Sequence, residues 1–226
     1  MKVSEAVRNR RSVRGFLDTP VDRAVIEQVL ETASRAPSGG NLQPWRIVAL
    51  AGSPLQELKK LMAERIESGG GSDESLYPIY PSHVSSPYRD YRFRNGEQLY
   101  GAVGIPREDK AARLKWFARN YEFFGAPVGL FCYVDKQMGS AQWSDLGMYL
   151  QSVMLLLQEQ GLASCPQESW SRYHRTVAKT VGPPDEWMLF CGMAVGYEDP
   201  DEPANALRTE RAPLAEFVTF LGWDAE

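Results

Sequence analysis

Hydrophobic positions along this chain follow two rhythms and lose both in one stretch. Between Asp22 and Pro37, Val25, Ile26, Val29, Leu30 and Ala33 recur at helical spacing. Thr19-Pro20 opens that helix, Asp22 can cap it, and Pro37 with the Ser-Gly-Gly that follows should stop it. WRIVALAG (Trp45 to Gly52), PVGLFCYV (Pro127 to Val134) and WMLFCGMAVGY (Trp187 to Tyr197) are short apolar runs that read as buried strands. Pro54 to about Glu67 and Asp109 to Phe124 return to helical character. Leu146 to Leu162 is the most apolar helix, ended by Gly161. Its apolar residues run nearly all round, which predicts a place at the centre of the molecule or in a subunit interface. A short helix ending near Arg10 and an extended SVRGF open the chain.

The pattern fails from Ser68 to about Arg107. SGGGSDES is a flexible polar run. The following PIYPSHVSSPYRDYRFR mixes prolines, tyrosines and arginines without a clear period. It has too few aliphatics for a core of its own, so the stretch reads as an insertion in one domain. With 226 residues, 43% of them hydrophobic, the chain suits one compact α/β domain with a substantial core. A net charge of −4 gives no electrostatic reason to expect nucleic acid as a partner. VMLLL is the longest apolar run, far too short for a membrane span. Cys132, Cys165 and Cys191 form no CxxC pair, and two of them sit in apolar runs as small buried thiols. A reducing, cytoplasmic setting fits them. His83 and His174 lack ligand spacing, so no metal site is expected.

Three stretches carry candidate chemistry, and none is a GxGxxG or a P-loop. In Arg10-Arg11-Ser12-Val13-Arg14, an extended backbone turns Arg10, Ser12 and Arg14 to one side. Guanidinium forks suit phosphate, although the same residues suit a solvated basic helix end. Pro37, Ser38, Gly39, Asn41 and Gln43 belong to a glycine-rich turn whose backbone can approach a flat ring; a loop that merely turns the chain would look alike. Arg208 and Arg211, in NALRTERAPL, form a second guanidinium pair about 200 residues later, which hints at one anionic ligand shared with the first.

Taken in order, RRSVRGF, APSGGNLQPW, GLASCPQES and the VGY…R..R.PL ending resemble the nitroreductase family of flavoproteins over nearly the whole chain outside the insertion. The resemblance implies an α+β fold over residues 1–226, a mostly antiparallel sheet surrounded by helices, with a domain-wrapping C-terminal tail and the insertion at about 68–107 as a lid. It implies FMN as cofactor, NADH or NADPH as co-substrate, a small aromatic acceptor, and a homodimer with shared active sites. Arg10, Arg11, Ser12 and Arg14 look like the flavin-binding stretch. Pro37, Ser38, Gly39, Asn41 and Gln43 look like the loop reaching the other subunit's flavin. Gln167, Glu168 and Ser169 resemble the segment whose backbone amide faces flavin N5, and Arg211 with Arg208 the C-terminal phosphate clamp. The family's Asn and Lys before the second strand have no match in register, since Asn120 is displaced.

In such a family the flavin does the hard chemistry, so no catalytic side chain is implied. Hydride passes from the nicotinamide to the flavin, and the acceptor then takes the same seat, in a ping-pong cycle that reduces nitro groups or quinones two electrons at a time. Tyr88 and Arg92 of the insertion, with Phe123 and Phe124, are the candidate substrate contacts. Arg89, Arg92 and Arg94 suit a substrate carboxylate or a nicotinamide phosphate. Two other readings share the sequence. A reductive dehalogenase of the iodotyrosine deiodinase kind needs a Glu, Tyr and Lys trio that the insertion does not present. A flavin-binding protein without turnover needs only the arginines.

Overall fold

The computed structural model describes residues 1–223. Among them, seven α-helices and four strands follow in order: α1 (Val3–Asn9), α2 (Arg23–Ala33), β1 (Arg46–Ala51), α3 (Gly52–Glu67), α4 (Tyr88–Ala102), α5 (Lys110–Ala118), β2 (Val128–Asp135), α6 (Ser140–Glu159), β3 (Ala163–Gln167), α7 (His174–Val181) and β4 (Trp187–Gly196). The strands form one sheet in the order β1-β2-β4-β3, each pair antiparallel. The expected α+β architecture with an antiparallel sheet is what forms.

Both faces of the sheet are covered, which is why its central strands read as continuous apolar runs rather than alternating ones. Successive β2 residues still face opposite ways. Val128, Leu130, Cys132 and Val134 pack with α2 and α6 through Ile26, Val29, Leu146 and Val153. Phe131 and Tyr133 turn to the other face, where α3, α7 and a ring of aromatics close the second core. Trp170, fully buried, sits in that ring. It stacks on Phe123 at 4.7 Å and meets Phe131 and Tyr121 edge-on at 5.2 and 5.3 Å. Gly192 of β4 makes the room: a Cβ there would lie 2.4 Å from the indole.

The expected α2 forms where the pattern placed it, capped by Asp22, whose carboxylate accepts from the Ala24 amide at 2.9 Å. The long apolar helix begins at Ser140, six residues before the apolar run, because its first turns carry only intermittent apolar residues. Gly161 ends it in the left-handed region, at φ 71°. Its apolar girth is not all used within the chain. One face packs on the sheet through Leu146, Tyr149, Leu150, Val153 and Leu157, while Gly147 and Met148 stay exposed.

Three features depart from the sequence-based expectation. The stretch after Gly161 is strand β3, only five residues long and containing Pro166. It lies at the sheet's edge, the place where a proline's missing N–H is tolerated. Within the insertion, Tyr88–Ala102 is a helix, α4, that buries no residue completely. A helix without an apolar stripe leaves no period to read. Finally, the helical stretch from Asp109 stops at Ala118, and a 3₁₀ turn follows in which Phe123 and Phe124 adopt left-handed backbone, φ 52° and 53°.

Candidate functional site

The N-terminal segment docks beside β3. Ser12 bridges Ser164 in parallel, and the Val13 amide donates to the Ser164 carbonyl at 3.1 Å. Extended backbone then alternates its side chains: Val13 points into the core, and the residues on either side of it do not. Arg10, Ser12 and Arg14 therefore share the neighbourhood of Cys165. Burial pushes the Cys165 thiol above its ordinary value, and the Arg14 and Arg10 charges oppose that rise. Burial also lowers the half-buried Arg10 guanidinium, and the charge of Arg211 lowers it further. Two arginines about 200 residues apart in sequence are thus held within each other's field.

The charges around this corner are not equally balanced. Arg11 forms an ion pair with Glu198, and its Nε donates to the Asn205 carbonyl at 3.0 Å. Both contacts fasten the tail to the N-terminal segment. Among the described residues, Arg10, Arg14 and Arg211 meet no carboxylate; Arg211 donates only to Thr209 and to the Glu210 carbonyl. Arg208 is exposed and is not drawn into the cluster. Three guanidiniums in one corner without acid partners repel one another, so the corner is built for an anion from outside the chain.

Asn205 holds this corner together, and the sequence reading passed over it. It is almost fully buried. Its Oδ1 accepts from the Arg14 amide at 2.7 Å, and its Nδ2 donates to the carbonyls of Gly15 and Asp199, both at 2.9 Å. No sequence signal singles out one asparagine in a polar tail; only the placement of Gly15 and Asp199 around it does. Replacing Asn205 with alanine takes this partner from the Arg14 amide and the Asp199 carbonyl, while the Gly15 carbonyl keeps the Asp199 amide at 3.0 Å, and should cost about 1–3 kcal/mol of stability. The check is urea unfolding, where the midpoint should fall with the slope unchanged. An unshifted midpoint would refute the role.

Gln167 ends β3, and Glu168 and Ser169 follow it directly. The Gln167 side chain is buried and fully engaged: Nε2 donates to the Asn120 carbonyl at 2.7 Å, and Oε1 accepts from the Trp170 indole at 3.3 Å. It supports the segment and offers nothing to a ligand. Glu168 keeps one side in solvent, yet burial of the other raises its carboxyl above the ordinary range. The Ser169 hydroxyl is buried without a hydrogen-bond partner. The cationic corner beside Cys165, without acid partners, suits a phosphorylated ligand such as FMN.

The Pro37–Gln43 loop stands apart from that corner. It projects from the α2–α6 side, with Pro37, Gly39, Asn41 and Gln43 exposed. Its shape is held tightly. The Gly39 amide donates to the buried Asp145 carboxylate at 3.3 Å, and the Gln43 amide to Ser38 Oγ at 3.0 Å. Asn41 and Gln43 both sit in left-handed backbone, φ 56° and 47°. Among the described residues no hydrogen bond joins this loop to Arg10, Ser12 or Arg14.

Of the candidate substrate contacts, Phe123 and Phe124 lie in the aromatic core, 0% and 2% exposed. The left-handed turn folds both rings inward, so neither faces an open cleft of this chain. Tyr88 starts α4 and is well exposed. Arg92 lines a cleft of about 810 Å³ between α4 and the tail, with Tyr80, Tyr91 and Arg211 among its neighbours. The tail beyond Pro213 exposes Leu214, Phe217, Phe220, Leu221 and Trp223.

Comparison with known proteins agrees with this geometry over almost the full length. The model of the nitroreductase family matches residues 7–197. A 4-nitrobenzoate reductase from Pseudomonas putida is 36% identical over 96% of this chain and 95% of its own. A nitrobenzene nitroreductase from Ectopseudomonas oleovorans is 34% identical, over 97% and 96%. Among solved structures, the FMN- and NADPH-dependent nitroreductase NfnB from Sphigopyxis sp. strain HMH superposes with a TM-score of 0.94 at 47% identity, covering 99% of this chain and 100% of that one. The FMN-dependent nitroreductase NfnB from Mycobacterium smegmatis, solved with NADPH, gives 0.91 at 28% identity, over 97% and 98%. Matched by the family's model over most of its length and by relatives over nearly all of it, the chain belongs to the nitroreductase family.

Proposed function

We propose that this protein is an FMN-dependent oxidoreductase that uses NADH or NADPH to reduce nitroaromatic acceptors, working as a homodimer in the cytoplasm. The observation that carries the reading is the convergence of Arg10 and Arg211, without a carboxylate among the described residues, with Arg14 and Ser12 around Cys165. When bound, FMN would supply the hydride chemistry, taking two electrons from a nicotinamide and giving them to an acceptor. Arg10 and Arg211 would bind its phosphate. Arg14 would stabilise negative charge at the N1–C2=O edge of the ring. The main chain at Gln167–Ser169 would orient N5, leaving the Glu168 carboxyl no direct part.

The dimer has its own support. Exposed Met148 on α6 and the apolar side chains of the tail need cover, and an exposed, rigid Pro37–Asn41 loop suits a second subunit's flavin. No described helix is long and apolar enough to cross a membrane, and three unpaired buried thiols suit a reducing compartment. The relatives named for nitrobenzoate and nitrobenzene reduction favour a nitroarene as acceptor.

The test is direct. Purified protein should be yellow, release FMN rather than FAD on heating, and reduce nitroarenes with NADH or NADPH in preference to halotyrosines. Released FAD, or no flavin after reconstitution with FMN, would sink the cofactor. Flavin that bleaches with a nicotinamide yet reduces no nitroarene would sink the acceptor class.

A further inference from the structure

Among the described residues, two guanidiniums of the cleft between α4 and the tail meet no carboxylate, Arg211 and Arg92. Arg94 lies 3.8 Å from Glu210, the Tyr91 hydroxyl donates to Glu216 at 2.5 Å, and Arg211 belongs to the proposed phosphate corner. Arg92 remains. Among the described residues it meets no carboxylate and donates no hydrogen bond. Its guanidinium lies 4.0 Å over the Tyr80 ring. Stacking on tyrosine fixes the plane of a guanidinium through its face and leaves the N–H donors at its edge free. A planar donor fork held in a cleft of about 810 Å³, lined by tyrosine faces, is complementary to a carboxylate on a flat ring.

We propose that Arg92 is a specificity-determining residue that binds the carboxylate of an arenecarboxylate acceptor, so that nitroarenes carrying a carboxylate are preferred to neutral ones. The inference rests on the nitroarene-reducing function proposed above and adds the class of acceptor. With Arg211 assigned to the flavin phosphate, the one guanidinium left over matches a monoanion. A phosphate monoester, such as the one that distinguishes NADPH from NADH, brings about two charges and draws more than one fork. Arg94, already shared with Glu210, is poorly placed to supply the second.

The experiment compares 4-nitrobenzoate with nitrobenzene, and NADPH with NADH, in the native protein and in Arg92→Leu, Arg92→Lys and Arg92→Glu. In the native protein kcat/KM should favour 4-nitrobenzoate. Because Arg92 is exposed, its loss in Arg92→Leu should raise the KM for 4-nitrobenzoate by about tenfold, with nitrobenzene within about twofold. Arg92→Lys keeps the charge and loses the stacked fork, so it should fall between. Arg92→Glu should discriminate against the carboxylate. A selective loss of NADPH over NADH, with the acceptor ratio unchanged, would assign Arg92 to the nicotinamide phosphate and overturn the inference; so would equal use of the two nitroarenes by native protein. A calorimetric titration with 4-aminobenzoate, which cannot be reduced at a nitro group, separates this inference from the function beneath it. Binding that weakens in Arg92→Leu supports the carboxylate site even where neither nitroarene is turned over. No difference between native and variant titrations sinks the site even if the enzyme is active.

Discussion

Arg10→Ala should bind FMN about ten- to a hundredfold more weakly, the loss of one charge-assisted phosphate contact worth roughly 1.5–3 kcal/mol. The fold should survive, because among the described residues Arg10 makes no ion pair, and its backbone amide donates to the Ala6 carbonyl at 2.9 Å whatever the side chain. Subunit association should be unchanged. The companion variant is Gly39→Trp in the projecting loop. A Cβ at Gly39 meets nothing within 4 Å inside the chain, so the indole is accommodated there and collides only with whatever the loop approaches. If Arg10 and the loop serve one flavin from different subunits, a mixed dimer collects both lesions in one site and leaves the other intact. Each variant alone should be weak, and refolded equal mixtures should regain about a quarter of native activity, since half of the dimers are mixed and each has one sound site. Sedimentation showing an active monomer, or verified mixed dimers with no recovery, would refute the shared site.

Trp170→Ala should be the most damaging single change to stability, at about 3–5 kcal/mol. The indole is fully buried between Phe123, Phe131 and Tyr121, and Gly192 gives the sheet no side chain with which to fill the hole. For a chain of this size that predicts a drop in Tm on the order of 10 °C. The damage should reach the ligand corner too. Removing the indole N–H frees Gln167 Oε1, which anchors the start of the Gln167–Ser169 segment. FMN should therefore bind more weakly to the folded fraction as well. Scanning calorimetry of the apo and FMN-loaded variant tests both parts; a Tm within about 2 °C of native would show that the aromatic ring repacks without it.

The unequal legibility of the chain has physical causes. α2, β2 and β4 each bury a face or two faces against the core, and burial imposes a period on sequence. α4 and β3 were not recognisable because neither is dictated by that rule. The first has no buried face, and the second is a short edge strand whose proline argues against a strand at all. The ligand corner was legible only in part. Arg10, Ser12 and Arg14 could be read from alternation along an extended segment, and Arg211 from its charge. Arg11 looked identical to its neighbours on paper and turned out to be bound to Glu198 on the tail side. Phe123 and Phe124 were read as flanking a substrate pocket, and the left-handed turn instead sends them into the core. Asn205 carried no signal, because its importance lies in three backbone groups that only the folded chain brings to it.

The absence of a fully buried residue in α4 has an evolutionary consequence. Leu99 and Tyr100 pack against the core, but the exposed residues of its first turns do not, so substitutions at those positions cost the fold little stability. Mutational drift at Arg92, Arg94 or Tyr91 can therefore change which molecules are accepted, while the flavin corner and the two cores are left untouched. Selection can retune the diet of such an enzyme one residue at a time, with no compensating repair elsewhere, which makes α4 the segment in which duplicated copies of the gene should diverge first.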